Sequence, residues 1–220
     1  MAAASLQSEA MYEPPQFRQD DLTLQHELIR AHPLGLLITH GPGGLVANAI
    51  PFLVEADGKR GILRAHLARA NPQLADLRQA AEALVVFQGT AHYVSPSWYP
   101  SKAETHKVVP TYNYLIVQAR GKPRVIEDAS WLRAQIEALT VSQEARRETP
   151  WAVGDAPENF VAQQMLAIVG LEIEISDLRG KWKASQNRNA ADRAGVVIGL
   201  MSEDSEAALT MARAVERGGK

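Results

Sequence analysis

The chain has 220 residues, with 23 Lys and Arg against 25 Asp and Glu, six His and no Cys, and 46% of it is hydrophobic. That length supports one substantial core, and the absence of Cys excludes disulfides, thiolate metal sites, Cys-ligated iron–sulfur clusters and a Cys nucleophile. A net charge of −2 gives no global attraction to nucleic acid, so any such contact needs a local basic patch.

Residues 1–10 carry Glu9 and no Lys or Arg, the wrong charge pattern for an export signal. Runs such as 34–38 and 83–87 are far shorter than the roughly 20 apolar residues a membrane helix needs. The expectation is a soluble, cytoplasmic protein without membrane contact.

Asp21 opens a helix through Leu24 and Leu28 that stops before Pro33. Short apolar runs bounded by Gly, Pro or Asn predict strands at 34–39, 45–54, 61–67, 83–87 and 114–120. Asn71-Pro72 reads as N-cap plus first helical position, followed by Leu74, Leu77 and Ala81 on one face. Asp128 caps a helix burying Leu132, Ile136 and Leu139, and Asp155 to Glu158 reads as a capping-box variant before Phe160, Met165 and Ile168. Residues 171–175 alternate strictly, as a half-buried strand does. A final amphipathic helix runs through Leu209, Ala212 and Val215. The pattern predicts an α+β, mainly β domain over 11–200, an antiparallel sheet curled into a barrel with short flanking helices, and a helical tail over 201–220.

Three segments carry chemistry. In Arg64 to Pro72 a strand ends, Arg69 follows and a capped helix begins, which is either an anion site in outline or an ordinary turn with a solvated Arg and a structural His66. Val94 to Pro100 holds Trp98 and Tyr99 between prolines, a stiff loop suited to stacking on a planar ligand, docking a partner or plugging the barrel. Lys181 to Arg188 has the clearest positive excess and suits a flavin's pyrimidine edge, solvent or DNA phosphates. No His pair has metal-ligand spacing, and G-x-S-x-G, P-loop and G-x-G-x-x-G motifs are missing.

Met11-Tyr12-Glu13-Pro14-Pro15, His32-Pro33-Leu34-Gly35, Ile50-Pro51-Phe52, His66 to Gln73, Tyr93 to Tyr99, Val109 to Tyr114 and Gly180 to Arg188 occur in this order. Over roughly 11–200 the chain thereby resembles the PaiB-like family of FMN-binding negative transcriptional regulators. The resemblance implies an FMN-binding split β-barrel and a homodimer with FMN held at its interface. It implies that Asn48, Ala49, Ile50 and Pro51 line the isoalloxazine, and that His66, Leu67, Ala68, Arg69 and Asn71 hold the phosphate and ribityl chain. Ser95 and Trp98 join the set, and Lys181, Ser185 and Gln186 approach the flavin from the dimer-facing side. Ala49 stands where family members commonly have His, and Tyr112 where they usually have Trp. The implied function is negative regulation of transcription, through DNA directly or indirectly, with no catalytic residue assigned; the alternative is an FMN-dependent oxidoreductase or flavin reductase on the same barrel.

Overall fold

The structure, a computed structural model, describes residues 11–219. In chain order the elements are β1 (Arg18–Gln19), α1 (Leu22–Ala31), β2 (Leu34–Gly41), β3 (Gly44–Pro51), β4 (Leu53–Glu55), β5 (Ile62–Ala68), α2 (Gln73–Leu77) and β6 (Ala83–Val94). They continue with α3 (Ser101–Thr105), β7 (Thr111–Ile126), α4 (Ala129–Glu144), α5 (Glu158–Leu166), β8 (Ile168–Lys183), α6 (Ala190–Met201) and α7 (Glu206–Glu216). The main sheet runs β3-β2-β6-β7-β8-β5-β4, with β1 added against β8. Internal contacts divide the chain into two compact units, one of Asp21–Gly89 with Ile116–Leu178, the other of the described residues up to Asp20, Thr90–Leu115 and the chain from Arg179 onward.

The first unit is the barrel. Its pairings β2–β3, β2–β6, β4–β5 and β5–β8 are antiparallel. Alternation sorts each strand: Leu63, Ala65 and Leu67 of β5 point into the core, while Arg64 and His66 face outward. The predicted strand over 45–54 is two strands. Phe52 breaks it, because its N–H donates to Pro33 O at 2.8 Å and its buried ring packs edge-to-face on Phe87. Asp21 and Asp128 cap α1 and α4 as the sequence predicts. Asp155 does not cap α5: its carboxylate accepts the Ala152 N–H at 2.8 Å, α5 starts after Pro157 without a side-chain cap, and Phe160 is half exposed.

The second unit has its own core of Val94, Tyr99, Ala184, Val196, Leu200, Ala208, Met211, Ala212 and Val215. The helix predicted as a tail is therefore no appendage, since α7 supplies four of these side chains. Gly195 and Gly199 of α6 let Trp98 lie directly on the helix, where any Cβ would collide with its carbonyl or its ring.

Candidate functional site

In the barrel unit, two of the implied ligand-binding residues end on Gln73, a residue with no role of its own in the sequence pattern. Asn48 Nδ2 donates to Gln73 Oε1 at 2.9 Å, and Asn71 Oδ1 accepts the Gln73 N–H at 2.9 Å. Gln73 is 1% exposed, and its Nε2 reaches Leu37 O at 3.1 Å, Thr39 Oγ1 at 3.2 Å and Val46 O at 3.4 Å. Asn71 thus caps the turn into α2, and α2, five residues long, has its first N–H already taken. Ala49 is on the outward face of β3 opposite Leu36, Ile50 is buried, and Pro51 pairs with Leu34.

The strand and turn that carry His66 to Arg69 aim them in three directions. Leu67 is buried inside the barrel. His66 and Ala68 line an apolar cavity of about 470 Å³ under α4 and α5. Arg69 lines a separate, wider cleft of about 630 Å³ with Ser130, Arg133 and the carboxylates of Glu127, Glu137 and Glu158. Its guanidinium donates to Leu166 O at 3.1 Å and Ile168 O at 3.3 Å and stands 3.6 Å from Glu127. Burial holds both His66 and His32 below the ordinary imidazole value of 6.5.

A histidine with a depressed folded pKa stabilises the fold fully above its unfolded pKa and progressively less below it, because the unfolded chain takes up the proton first. The melting temperature should therefore fall as pH drops below 6.5, and His66→Phe should flatten that fall. A wild-type melting curve flat from neutrality to pH 5 would show that the burial of these rings carries no linkage.

In the second unit, Ser95 Oγ accepts the Ser97 N–H at 3.2 Å and closes a 3-10 turn, while Trp98 stacks on His92 and packs on α6. Tyr99, from the loop read as suited to stacking, docking a partner or plugging, is 2% exposed within the core of its own unit. Lys181 and Lys183 share one strand face, as alternation requires, and both ammoniums lie near the Tyr114 ring, at 5.3 and 5.9 Å from its centroid. Lys181 is 7% exposed, donates to Tyr12 O at 2.9 Å and also faces the Tyr12 ring. Lys183 donates to Thr111 Oγ1 and Tyr112 O. Its pKa is held below the usual lysine value by burial first, then by the charges of Lys181 and Arg188.

Ser185 and Gln186 shape the turn behind these cations. Ser185 is a non-glycine residue at φ 61°, buried, with its Oγ accepting from Asn113 Nδ2 at 2.9 Å. Asn113 Oδ1 is buried without a partner. Gln186 spends both ends of its amide locally, accepting from Ala184 N and donating to Trp182 O. Asn113 was legible only as part of the motif 109–114, because its partner is 72 residues away.

The family model described as "Putative FMN-binding domain" matches residues 11–177. An uncharacterized protein of Emericella nidulans is 36% identical over 90% of this chain and 93% of its own length. The protease synthase and sporulation protein PAI 2 of Bacillus subtilis is 27% identical over 94% of this chain and 97% of its own. Among solved structures, the FAD and heme binding protein of Mycobacterium smegmatis superposes with a TM-score of 0.55 at 21% identity, covering 76% of this chain and 73% of its own. The flavocytochrome Anf3 of Azotobacter vinelandii gives 0.56 at 13% identity, covering 76% and 69%. These two likenesses show a shared fold, the mainly antiparallel split barrel. With a family match over three quarters of its length, this chain belongs to the FMN-binding domain family, and FMN is its cofactor.

Proposed function

We propose that this protein is an FMN-binding negative transcriptional regulator that works as a homodimer. The observation that carries the flavin part is the cationic cluster of the second unit. Lys183 is half-buried beside two other cations and donates to Tyr112 O, and the buried Oδ1 of the next residue, Asn113, lacks a donor. Such a cluster fits the pyrimidine edge of a flavin, which offers carbonyl acceptors and an N–H donor and gains negative charge on reduction. We assign that edge to Lys183, with the buried Lys181 acting through its charge behind it, Ser185 and Gln186 as the turn that positions them, and Ser95 and Trp98 as further contacts. In the barrel unit, Arg69 is assigned to the phosphate and 48–51 to the ring, with Asn71 as a further contact; His66 and Ala68 of β5 face the separate cavity under α4 and α5 and are not assigned to FMN. Leu67 supports that strand from inside the core. Bound FMN supplies one- and two-electron redox chemistry.

The homodimer reading rests on the outward face of β2 and β3. Leu34, Leu36 and Leu45 are 63%, 41% and 76% exposed, and Ile38, Ala47 and Ala49 complete an apolar patch, with His40 at its edge across from Leu45. Ala49 in place of the family's common His makes this patch more apolar. Sedimentation equilibrium at micromolar concentration should give a dimer, and Leu36→Lys should give a folded monomer, since a charge in a buried interface is strongly disfavoured. A wild-type monomer would end this reading.

A second reading, an FMN-dependent oxidoreductase, is favoured by one observation. Lys181 is too buried to meet a DNA phosphate, which leaves Lys183, Arg188 and Arg193 for any direct contact or makes the effect on transcription indirect. The absorption spectrum of the FMN-loaded protein separates the two. Steady bleaching and recovery with NAD(P)H in air would favour the enzyme. An oxidised spectrum unchanged by NAD(P)H, together with salt-dependent binding of DNA, would favour the regulator.

A further inference from the structure

The cavity that holds His66 differs in chemistry from the Arg69 cleft beside it. It is about 470 Å³, within the range of roughly 300–1,000 Å³ typical of small-molecule sites. Its walls come from Ile136 and Leu139 of α4, Val161 and Phe160 of α5, Trp151 before them, and the outward face of β5. No Lys, Arg, Asp or Glu lines it, whereas the neighbouring Arg69 cleft holds two guanidiniums and three carboxylates. Trp151 and Phe160 are 49% and 52% exposed, so two aromatic rings stand at the rim rather than in the core.

The cavity's polar lining side chains are Thr140 of α4, Gln164 of α5 and His66 of β5, and the imidazole is the one the sheet contributes. His66 Nδ1 is sealed and has no hydrogen-bond partner, so Nε2 is the ring nitrogen left for a ligand. The imidazole is neutral near pH 7, because burial lowers its pKa. A neutral imidazole among uncharged walls, apolar except for Thr140 and Gln164, rejects a charged occupant, which would lose its hydration without gaining a counter-charge. It accepts a hydroxyl, which can either donate to Nε2 or accept from it.

We infer that the α4–α5 cavity is a binding site for a small, flat, neutral molecule, aromatic or otherwise apolar, carrying a hydroxyl that hydrogen-bonds His66 Nε2. The phosphate of FMN has no cation to meet there, so the site is distinct from the one assigned to Arg69. The ligand is an effector if the protein is a regulator and a substrate if it is an oxidoreductase.

The test uses the full chain, with and without saturating FMN, titrated calorimetrically with 2-naphthol, naphthalene and naphthalene-2-sulfonate. 2-Naphthol should bind saturably at one site per chain, naphthalene several-fold to about tenfold more weakly for want of one hydrogen bond, and the sulfonate not measurably. His66→Phe should erase the preference for naphthol over naphthalene. Leu139→Trp from one wall and Ala156→Phe from another should each abolish binding while leaving the melting temperature and FMN uptake near wild type. If one of these two variants does not fold, the other still decides. Binding of the sulfonate as tightly as naphthol, no saturable binding of either neutral probe, or one-for-one displacement of naphthol by FMN would each overturn the proposal. Naphthol binding in a chain that takes up no FMN would leave this site standing and remove the flavin assignments instead.

Discussion

Gln73→Leu should destabilise the barrel by about 3 kcal/mol, because it strips hydrogen-bond partners from several buried or half-buried groups at once. Leu37 O, Thr39 Oγ1 and Val46 O lose their shared donor and Asn48 Nδ2 loses its acceptor, while leucine fills nearly the same volume. For a chain of this length that corresponds to a fall in melting temperature of roughly 6–12 °C. Gln73→Glu is the sharper control. It keeps the shape and the Asn48 bond, yet its carboxylate can donate to none of the three oxygens and is itself buried, so it should be at least as damaging. A shift below about 2 °C for both variants would show that β2 and β3 hold their register without this hub. The consequence for function is direct, since Gln73 fixes Asn48 and Asn71 together and so sets the strand next to Ala49.

Arg69→Ala should weaken FMN by about 1.5–3 kcal/mol, roughly 10- to 150-fold, and leave riboflavin nearly unchanged. A guanidinium acts on the phosphate that only FMN carries. The same side chain also ties the end of α5 to the start of β8 through Leu166 O and Ile168 O, and it is 44% exposed, so its surface pairing with Glu127 adds little. Riboflavin is therefore the necessary comparison. Equal losses for both flavins, measured by fluorescence quenching, would assign Arg69 to the α5–β8 junction alone.

Local signals in the sequence were the legible ones. Asp21 and Asp128 cap their helices through amides two or three residues away, a relation that spacing alone expresses. Asp155 has the same local chemistry but turns back to Ala152, so the identical signal marks the end of a 3-10 turn instead of the start of α5. The alternation at 171–175 identified only the middle of β8. The strand continues to Lys183, because Ser176, Asp177 and Arg179 look like a loop in composition while their backbone remains paired in the sheet. The same effect hid the second half of β6, where small and polar residues from Gln88 to His92 dilute the apolar run.

For the candidate site, spacing placed Lys181 and Lys183 on one face and left their surroundings open. What buries Lys181 is Tyr12, 169 residues earlier, and Tyr114 on β7, contacts that only the folded sheet creates. Gln73, named only as the end of the motif 66–73, had no role for a related reason, since a single Gln after Asn-Pro reads as helix surface until β2 and β3 are brought against it. Likewise, no pattern along α4 or α5 shows that their apolar residues leave a cavity around His66 instead of closing on it.

The assignment of Lys181 and Lys183 to the flavin is tested most directly by the midpoint potential of bound FMN in the wild-type protein and in Lys183→Gln. A cation beside the ring stabilises the anionic reduced flavin more than the neutral oxidised one, so its removal should lower the potential by tens of millivolts while binding of oxidised FMN changes much less. An unchanged potential in Lys183→Gln, with a flattened salt dependence of DNA binding in the same variant, would contradict the account and place this lysine on nucleic acid instead.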